Sequence, residues 1–334
     1  MKRLLKTSLK TSLKTSLQTL TALGLGLTAL HSAGQQFPSR ALTLVCPYGA
    51  GSGSDIISRV VADHLSKAIG QNVIAENRPG ASAMIGHDYV ARSAPDGYTL
   101  MITGDQLSTL PIFFKDWKHD LKDFTLVAMP YTATVLMMTG GNQPYKNMAE
   151  FLTYAKANPG KVNYAFVGPG PYVVAFRYMN KVFDLGMTEI SYKGTADARS
   201  AAMRNELHLF PDTLAGTLGM IQQGQLRPMA TIKKTRMDAL PDVPTVNEGA
   251  LAPLKLDADE TWTALAGPAG LPRDVVARLN TAMNTAAKTP EFIETMRKFG
   301  VTATTASVAE VNELAAKDMA KWAGIAKTIG MVPQ

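Results

Sequence analysis

The apolar positions from Leu42 to Gly70 predict a strand, a loop and a helix in succession. Residues 42–46 form a short apolar run that is typical of a buried strand. After the loop, apolar residues recur with the 3.6-residue period of an amphipathic helix. Ser54 or Asp55 is its predicted N-cap, and Gly70 is its predicted C-cap.

The loop between this strand and helix contains Gly49, Gly51 and Gly53 and permits two interpretations. A loop at a helix N-terminus exposes unpaired N–H groups and a positive partial charge, and small anions bind there. The same glycines can instead serve only to make a tight turn. A P-loop is excluded because no Lys-Ser or Lys-Thr pair follows, and the glycine spacing does not match a dinucleotide fingerprint.

The alternation of strand and helix patterns begins twice along the chain. The first series covers residues 42–103, and the second covers residues 148–232. Such alternation predicts parallel sheets, whose ligands bind beyond the carboxyl ends of the strands. A further strand near Trp262 and helices over 272–287, 290–299 and 308–329 follow. Two lobes facing each other across a cleft and two independent domains both satisfy this pattern.

The first 34 residues have the composition of a secretory signal peptide. Five cations and no acid accompany the apolar stretch Leu20 to Leu30, and small residues follow at Ser32, Ala33 and Gly34. We therefore expect export to the periplasm, with cleavage within residues 33–35. Because the leader holds five unopposed cations, its removal lowers the formal charge from +7 to +2.

The remaining sequence argues against several classes of partner and site. No clustered basic face with interleaved aromatic residues remains, so we expect no nucleic acid partner. No later stretch reaches about 18 uncharged apolar residues, so we expect a mature protein that is soluble. A single cysteine, Cys46, excludes an internal disulfide and a Cys-based zinc site. The histidines His64, His87 and His119 lack metal-ligand spacing and are expected at the surface or hydrogen-bonded.

Seven short motifs carry a resemblance to a known family of receptors. They are Pro47-Tyr48-Gly49-Ala50-Gly51 with Asp55, Glu76-Asn77-Arg78-Pro79-Gly80-Ala81 with Ile85-Gly86, Ala94-Pro95-Asp96-Gly97-Tyr98-Thr99-Leu100, Ala157-Asn158-Pro159-Gly160-Lys161, Tyr192-Lys193-Gly194, Leu240-Pro241-Asp242-Val243-Pro244-Thr245 and Gly267-Pro268-Ala269-Gly270. Each motif alone is weakly specific, but together they keep their order over about 300 residues. The chain resembles the extracytoplasmic solute receptors of tripartite tricarboxylate transporters, also called Bug receptors.

This resemblance implies an α/β fold of the two-lobed periplasmic binding protein type (type II-like). Each lobe would be a mainly parallel sheet flanked by helices, with the ligand cleft between the lobes. Lobe 1 would comprise residues 36–134 and 258–334, and lobe 2 would comprise residues 135–257. Hinges are expected near Tyr131 to Leu136 and Asp257 to Trp262, where the chain crosses between lobes. The resemblance also implies no catalysis and no cofactor.

The resemblance further implies that main-chain amides and small hydroxyls of two facing loops hold a ligand carboxylate. These loops would be Tyr48 to Asp55 and Val167 to Tyr172, and each precedes a predicted helix. The second loop departs from the family pattern, with Pro171 in place of a Ser or Thr, Val174 and Tyr178 in place of a His and a Glu, and His208 in place of an Asp. The departures argue against citrate or a small amino acid and suggest a less polar carboxylate, such as an aromatic acid, with the ring of Tyr172 or Tyr178 against it. A dicarboxylate is the other ligand class that we expect.

The candidate ligand-binding residues lie in these two loops and at the ends of later strands. They are Tyr48, Ser52, Gly53, Ser54, Asp55, Thr103, Gly104, Gly168, Gly170, Pro171, Tyr172, Tyr192 and Asp212. The hydroxyls of Ser52 and Ser54 are the better donors to an anion, whereas Asp55 and Asp212 suit helix capping better than ligand contact. Asp105 can bind a ligand hydroxyl or amine, or it can cap its own loop.

The pattern of residues favours a binding protein over an enzyme, because no Ser/His/Asp, Cys/His or metal constellation is recognisable. We expect a monomeric receptor that captures a small-molecule carboxylate and delivers it to membrane transporter subunits. Closure of the lobes about the hinges would trap the ligand. The alternative is a ligand-dependent sensor whose closed form contacts a membrane sensor kinase.

Overall fold

The computed structural model of the chain describes residues 37–256 and 260–334. The predicted signal peptide, residues 1–34, and the first part of the second predicted hinge, residues 257–259, lie outside the described residues. All elements below belong to one packing unit, Arg40–Gln334. Within the described ranges, no helix is both long enough and apolar enough to cross a membrane.

Two groups of strands make up the sheets. The strands are β1 (Leu42–Cys46), β2 (Val73–Asn77), β3 (Thr99–Gly104), β4 (Phe124–Ala133), β5 (Val135–Gly140), β6 (Asn163–Phe166), β7 (Thr188–Ser191), β8 (Phe210–Thr213), β9 (Leu226–Thr231), β10 (Thr261–Pro268) and β11 (Val301–Ala303).

Helices flank both groups. They are α1 (Gly53–Ile69), α2 (Met84–Ala91), α3 (Gln106–Phe113), α4 (Met148–Ala157), α5 (Pro171–Val182), α6 (Thr195–Met203), α7 (Leu214–Gln222), α8 (Arg273–Ala287), α9 (Pro290–Lys298) and α10 (Val308–Thr328). Short 3-10 helices lie at Ala81–Ala83, Leu121–Asp123 and Gly249–Leu254.

The larger sheet has six strands in the order β11-β4-β10-β3-β1-β2. β1 lies between β2 and β3 and is parallel to both, as the alternating pattern predicts. β10 pairs antiparallel with β3 and β4, and β11 pairs antiparallel with β4. The sheet is therefore mixed: β1, β2, β3 and β4 run in one direction, and β10 and β11 run in the opposite one. β10 is antiparallel because it returns to this sheet from the other one without a crossover helix.

The smaller group consists of the antiparallel sheet β8-β5-β9 and the parallel pair β6-β7. A hydrogen bond of 2.9 Å from the Ala165 N–H to the Leu209 carbonyl connects the two. Side chains of α4 and α5, among them Phe151 and Phe176, are fully buried against these strands. The core of this half is therefore separate from that of the larger sheet, which contains Met101 and Leu126.

Two helices contribute to the packing of both halves. α10 buries Val311 and Ala315 against the larger sheet, whereas its later residues Trp322 and Ala326 lie in the core of the smaller group. α3 likewise follows β3 of the larger sheet and places Phe113 in the smaller group's core. The two halves are therefore connected by shared apolar contacts as well as by the chain crossings.

Candidate functional site

A cavity of about 160 Å³ lies at the carboxyl ends of β1 and β3. Its walls come from the start of α1, from the end of β3 and the start of α3, and from the start of β10. The lining residues are Cys46, Pro47, Tyr48, Ser54, Ser58, Ile102, Thr103, Gly104, Asp105, Gln106, Tyr131, Thr261, Trp262 and Thr263. An engineered cavity of about 150 Å³ holds benzene, so this one suits a ligand of similar size.

The N-terminus of α1 faces this cavity through Ser54. The N-cap is Ser52, whose side chain accepts a hydrogen bond of 3.2 Å from the Asp55 N–H. The predicted caps Ser54 and Asp55 are therefore wrong by two or three residues, because the helix begins at Gly53. Among the described residues, the N–H groups of Gly53 and Ser54 have no hydrogen-bond acceptor. They remain available to an anion at the positive end of the helix.

The buried carboxylate of Asp55 stabilises the glycine loop through hydrogen bonds. Its carboxylate accepts 2.8 Å hydrogen bonds from the Gly51 N–H and the Asn77 side chain, and Arg59 lies 3.0 Å away. These contacts, with that of Gly51 the strongest, lower the pKa of the Asp55 carboxyl. Asn77 also donates to the Tyr48 carbonyl, at 3.0 Å. Asp55 thus shapes the loop but does not line the cavity.

The end of β3 forms the opposite wall. Gly104 is required there because a Cβ atom at this position would lie 2.3 Å from the Trp262 carbonyl oxygen of β10. The Tyr48 hydroxyl donates to the Gln106 side-chain oxygen, which connects the glycine loop to the start of α3. Asp105 follows Gly104, and its Oδ2 atom is buried without a hydrogen-bond partner in the described part of the chain.

The second predicted loop packs against α3. The Thr109 hydroxyl donates to the Pro169 carbonyl, and the Gly170 N–H donates to the Gly168 carbonyl at 2.9 Å. The ring of Tyr172 covers Gly170 so closely that a Cβ atom there would lie 2.2 Å from Tyr172 Cε1. Pro171 begins α5 and has no N–H, so this loop offers fewer free donors than the first.

Asp105 lies between the two loops and lines the cavity beside each of them. A second cavity of about 10 Å³ is lined by Pro171 and Tyr172, and Asp105, Thr261 and Trp262 line both cavities. The smaller volume is about that of one water position. The structure therefore brings Tyr48 and Ser54 of the first loop near Pro171 and Tyr172 of the second, on either side of Asp105.

Several predicted residues line neither cavity: Ser52, Gly53, Asp55, Gly168, Gly170, Tyr192 and Asp212. Asp212 pairs with Arg199 at 2.9 Å and caps the Thr213 N–H at 2.8 Å. Tyr192 packs against an apolar cluster beside β8. Tyr178 packs against the core of the smaller strand group, so of the two aromatic candidates only Tyr172 lies at a cavity.

Sequence reasoning missed Ser58, Gln106, Tyr131 and Thr263. Ser58 could have been found, because it lies four residues after Ser54 on the same helix face. Gln106 and Tyr131 belong to segments whose contacts depend on how β3, β4 and β10 pair. That pairing has no local signal in the sequence.

The cavity contains few fixed charges. Burial raises the pKa of the Asp105 carboxyl well above its usual range; Asp318 acts in the same direction and Lys321 opposes it. Burial also raises the pKa of Tyr131 to about 12 and that of Tyr48 further. These phenols therefore keep their protons at neutral pH. The described residues contain no group of three or more His, Cys, Asp and Glu side chains placed to hold a metal ion.

Comparison with solved structures defines the class of protein. The structure of the periplasmic binding protein BugD covers 89% of this chain and 100% of its own, with a TM-score of 0.78 and 26% identity. An R. palustris protein, Rpa4515 with adipate, covers the same shares with a TM-score of 0.80 and 25% identity. The chain thus has the fold of the two-lobed periplasmic binding proteins.

The family is defined by the sequence. The model of the tripartite tricarboxylate transporter family receptor matches residues 57–331, and the chain belongs to this family. A relative from Bordetella pertussis, the protein BugT, is 27% identical over 316 residues, which is 91% of this chain and 94% of the relative. The resemblance inferred from the seven motifs is confirmed.

Proposed function

We propose that the protein binds a small-molecule carboxylate in the 160 Å³ cavity and delivers it to the membrane subunits of a tripartite transporter. The observation that carries the proposal is the start of α1, where Ser54 lines the cavity and two N–H groups lack acceptors within the described chain. A carboxylate placed there would receive charge-assisted hydrogen bonds.

One helix end alone does not give useful affinity. It stabilises a negative charge by roughly 0.3 to 1 kcal/mol, or about 2 when partly buried. Micromolar binding corresponds to about −8 kcal/mol. The proton of the Tyr48 hydroxyl is already donated to Gln106, so we expect the Tyr131 hydroxyl and the apolar wall of Trp262 to contribute, together with contacts that form only when the lobes are closed.

The proposed lobes are those expected from the sequence, residues 36–134 with 258–334 and residues 135–257. Two observations support them. Thr134 is the only residue between β4 of the larger sheet and β5 of the smaller one. The bond from Thr109 to Pro169 also fastens the second loop over α3, so entry of a ligand would require that the two halves separate. We further propose export to the periplasm by the N-terminal signal peptide.

The family description and the neighbour with adipate support a carboxylate ligand. We propose aromatic acids and short dicarboxylates as the two ligand classes. The cavity has the size of one aromatic ring, and Tyr48, Tyr131 and Trp262 line it. A thermal-shift screen of benzoate-like acids and short dicarboxylates separates the two classes. Native mass spectrometry of the purified protein identifies any acid that co-purifies.

The test of the site compares two serine variants. Ser54→Ala removes a hydroxyl from the cavity and should weaken binding of the best acid about tenfold or more. Ser200→Ala is the control, because Ser200 is a half-buried residue of α6 that lines neither cavity, and its hydroxyl donates to the Ala196 carbonyl of the same helix. Equal binding by Ser54→Ala and the wild type would contradict this placement of the carboxylate.

A further inference from the structure

Thr103 is the only cavity-lining hydroxyl held by a histidine among the described residues. His87 is fully buried on α2, and its two ring nitrogens contact two oxygens: Nδ1 lies 2.9 Å from the Ala83 carbonyl and Nε2 lies 2.8 Å from Thr103 Oγ1. Thr103 itself is 2% exposed and lines the 160 Å³ cavity.

The positions of the protons in this chain of contacts follow from the acceptor at its far end. A carbonyl oxygen only accepts, so Nδ1 must carry a proton. The rings of Trp117 and Phe124 meet the imidazole edge-on, and no carboxylate contacts it, so nothing in its surroundings stabilises a second proton. Burial lowers the pKa of His87 to about 4, and the nearby His119 acts in the same direction. Nε2 of the neutral ring is therefore an acceptor.

The direction of the next hydrogen bond is then fixed. Because Nε2 accepts, the Thr103 hydroxyl donates its only proton to His87. What Thr103 presents to the cavity is a pair of oxygen lone pairs. A carboxylate also only accepts hydrogen bonds, so its oxygens would be repelled by the Thr103 oxygen. Thr103 therefore does not bind the ligand's charged group.

A second oxygen at the same end of the cavity lacks a partner. Asp105 lies two residues further along the chain, lines the same cavity, and has a buried Oδ2 atom with no hydrogen-bond partner in the described chain. Because burial raises the pKa of this carboxyl well above its usual range, Oδ2 can carry a proton, so the direction of a hydrogen bond between it and a ligand is not set by the protein as that of Thr103 is.

We propose that Thr103, oriented by His87, forms a hydrogen-bond-accepting end of the cavity, beside Asp105, that selects carboxylates carrying a hydroxyl or ammonium group. The inference rests on the proposed carboxylate-binding function and specifies its substrate class. The carboxylate lies at the start of α1, and the substituent donates its proton to Thr103 Oγ1. Thr103 is the specificity-determining residue, and His87 is a positioning residue.

Matched sets of ligands test this proposal. Calorimetric titration compares succinate with malate, 2-methoxysuccinate and aspartate, and phenylacetate with mandelate and 2-methoxy-2-phenylacetate. The hydroxy or amino member of the better-binding set should bind about tenfold or more tightly than the unsubstituted acid. The methoxy member, which accepts but cannot donate, should bind no better than the unsubstituted acid. The affinities of malate and aspartate, compared with each other, show whether a hydroxyl or an ammonium donor is preferred.

Two variants of Thr103 make the test specific. Thr103→Val keeps the shape and removes the lone pairs, so the gain in affinity from the hydroxyl or ammonium group within each set should fall from about tenfold to about twofold or less. Thr103→Ser should retain the preference. A ¹⁵N spectrum of the His87 ring, which requires no ligand, should show the neutral form with its proton on Nδ1.

The outcomes separate the inference from the function on which it rests. Tight binding of an unsubstituted acid with no gain from a hydroxyl or ammonium group would overturn the inference and leave the carboxylate receptor intact. Absence of binding by every acid would overturn both. A ring proton on Nε2 in place of Nδ1 would overturn the inference whatever the binding data show.

Discussion

The imidazole of His87 lies among apolar rings near His119, which is itself paired with Asp88 at 2.9 Å. Such burial keeps the ring neutral and gives Thr103 its orientation. At the scale of single residues, the recognition properties of the cavity thus depend on a side chain that does not line it.

His87 predicts a pH dependence of stability. Its folded pKa of about 4 lies below the ordinary value of 6.5, so between these values the unfolded chain binds more protons. The contribution of His87 to the free energy of unfolding should therefore be fully present above about pH 6.5. It should decrease as the pH drops toward 4, by up to about 3 kcal/mol. Urea unfolding at pH 7, 5.5 and 4.5 should show a steeper loss for the wild type than for His87→Gln. Parallel losses would contradict the assignment.

Part of this residue-level picture was predictable from sequence. Ser54 and Thr103 were identified because they lie at a helix start and a strand end, and both positions have a local signal. The role of His87 was not identified, because its partner Thr103 is 16 residues away and is brought to it only by the packing of α2 on β3.

At the scale of elements, the cavity depends on the close pairing of β3 and β10. The Gly104 backbone approaches the Trp262 carbonyl too closely for any side chain. Asp318 of α10 accepts from the indole N–H of Trp262 at 3.1 Å and from that of Trp322 at 2.9 Å, which fixes the far side of β10.

Gly104→Ala should therefore disturb both stability and binding. The added Cβ must displace β10, which we expect to cost about 1 to 3 kcal/mol in the free energy of unfolding and to weaken ligand binding. Gly194→Ala is the matched control, since a Cβ there meets no atom within 4 Å. Urea denaturation and calorimetry measure the two effects. A Gly104→Ala protein as stable as the control would show that β10 is free to move.

Element prediction succeeded where the pattern was local. The last helix was predicted over 308–329 and is observed at Val308–Thr328, because its apolar residues recur with a helical period. α3 was not predicted, because Pro111 interrupts it and most of its residues are buried, which removes the alternation of apolar and polar faces. The antiparallel return of β10 was also missed, since strand direction depends on contacts distant in sequence.

At the scale of the whole molecule, Glu260 connects the two crossings. Its carboxylate accepts from the Thr132 hydroxyl at 2.5 Å, the Thr134 hydroxyl at 3.0 Å and Lys233 at 2.7 Å. Thr132 belongs to the larger sheet, whereas Lys233 follows β9 of the smaller one. These bonds therefore hold the crossing segments in the arrangement that brings Asp105 and Tyr172 together.

Glu260→Gln should favour separation of the halves. We expect the ligand-free variant to have a larger radius of gyration by small-angle X-ray scattering and a several-fold weaker affinity, because loss of the charge removes the ion pair with Lys233. Glu248→Gln is the control, since its pair with Arg236 lies at the surface and contributes at most about 1 kcal/mol. Identical scattering from the Glu260 variant and the wild type would exclude a role for this carboxylate in closure.

The two-lobed architecture could be expected from the family resemblance, but the contacts between the halves could not. α3 and α10 each supply apolar side chains to the core of the smaller group, and no periodicity in the sequence distinguishes such a helix from one that packs on a single sheet.

The central claim is that the cavity binds a negatively charged carboxylate at the start of α1, and one titration tests it most directly. Calorimetry should compare the best acid of the screen with its primary amide, which has the same shape and no charge. We predict micromolar binding of the acid and at least about tenfold weaker binding of the amide, because the N–H groups of Gly53 and Ser54 favour the anion. Equal affinity for acid and amide would contradict the account.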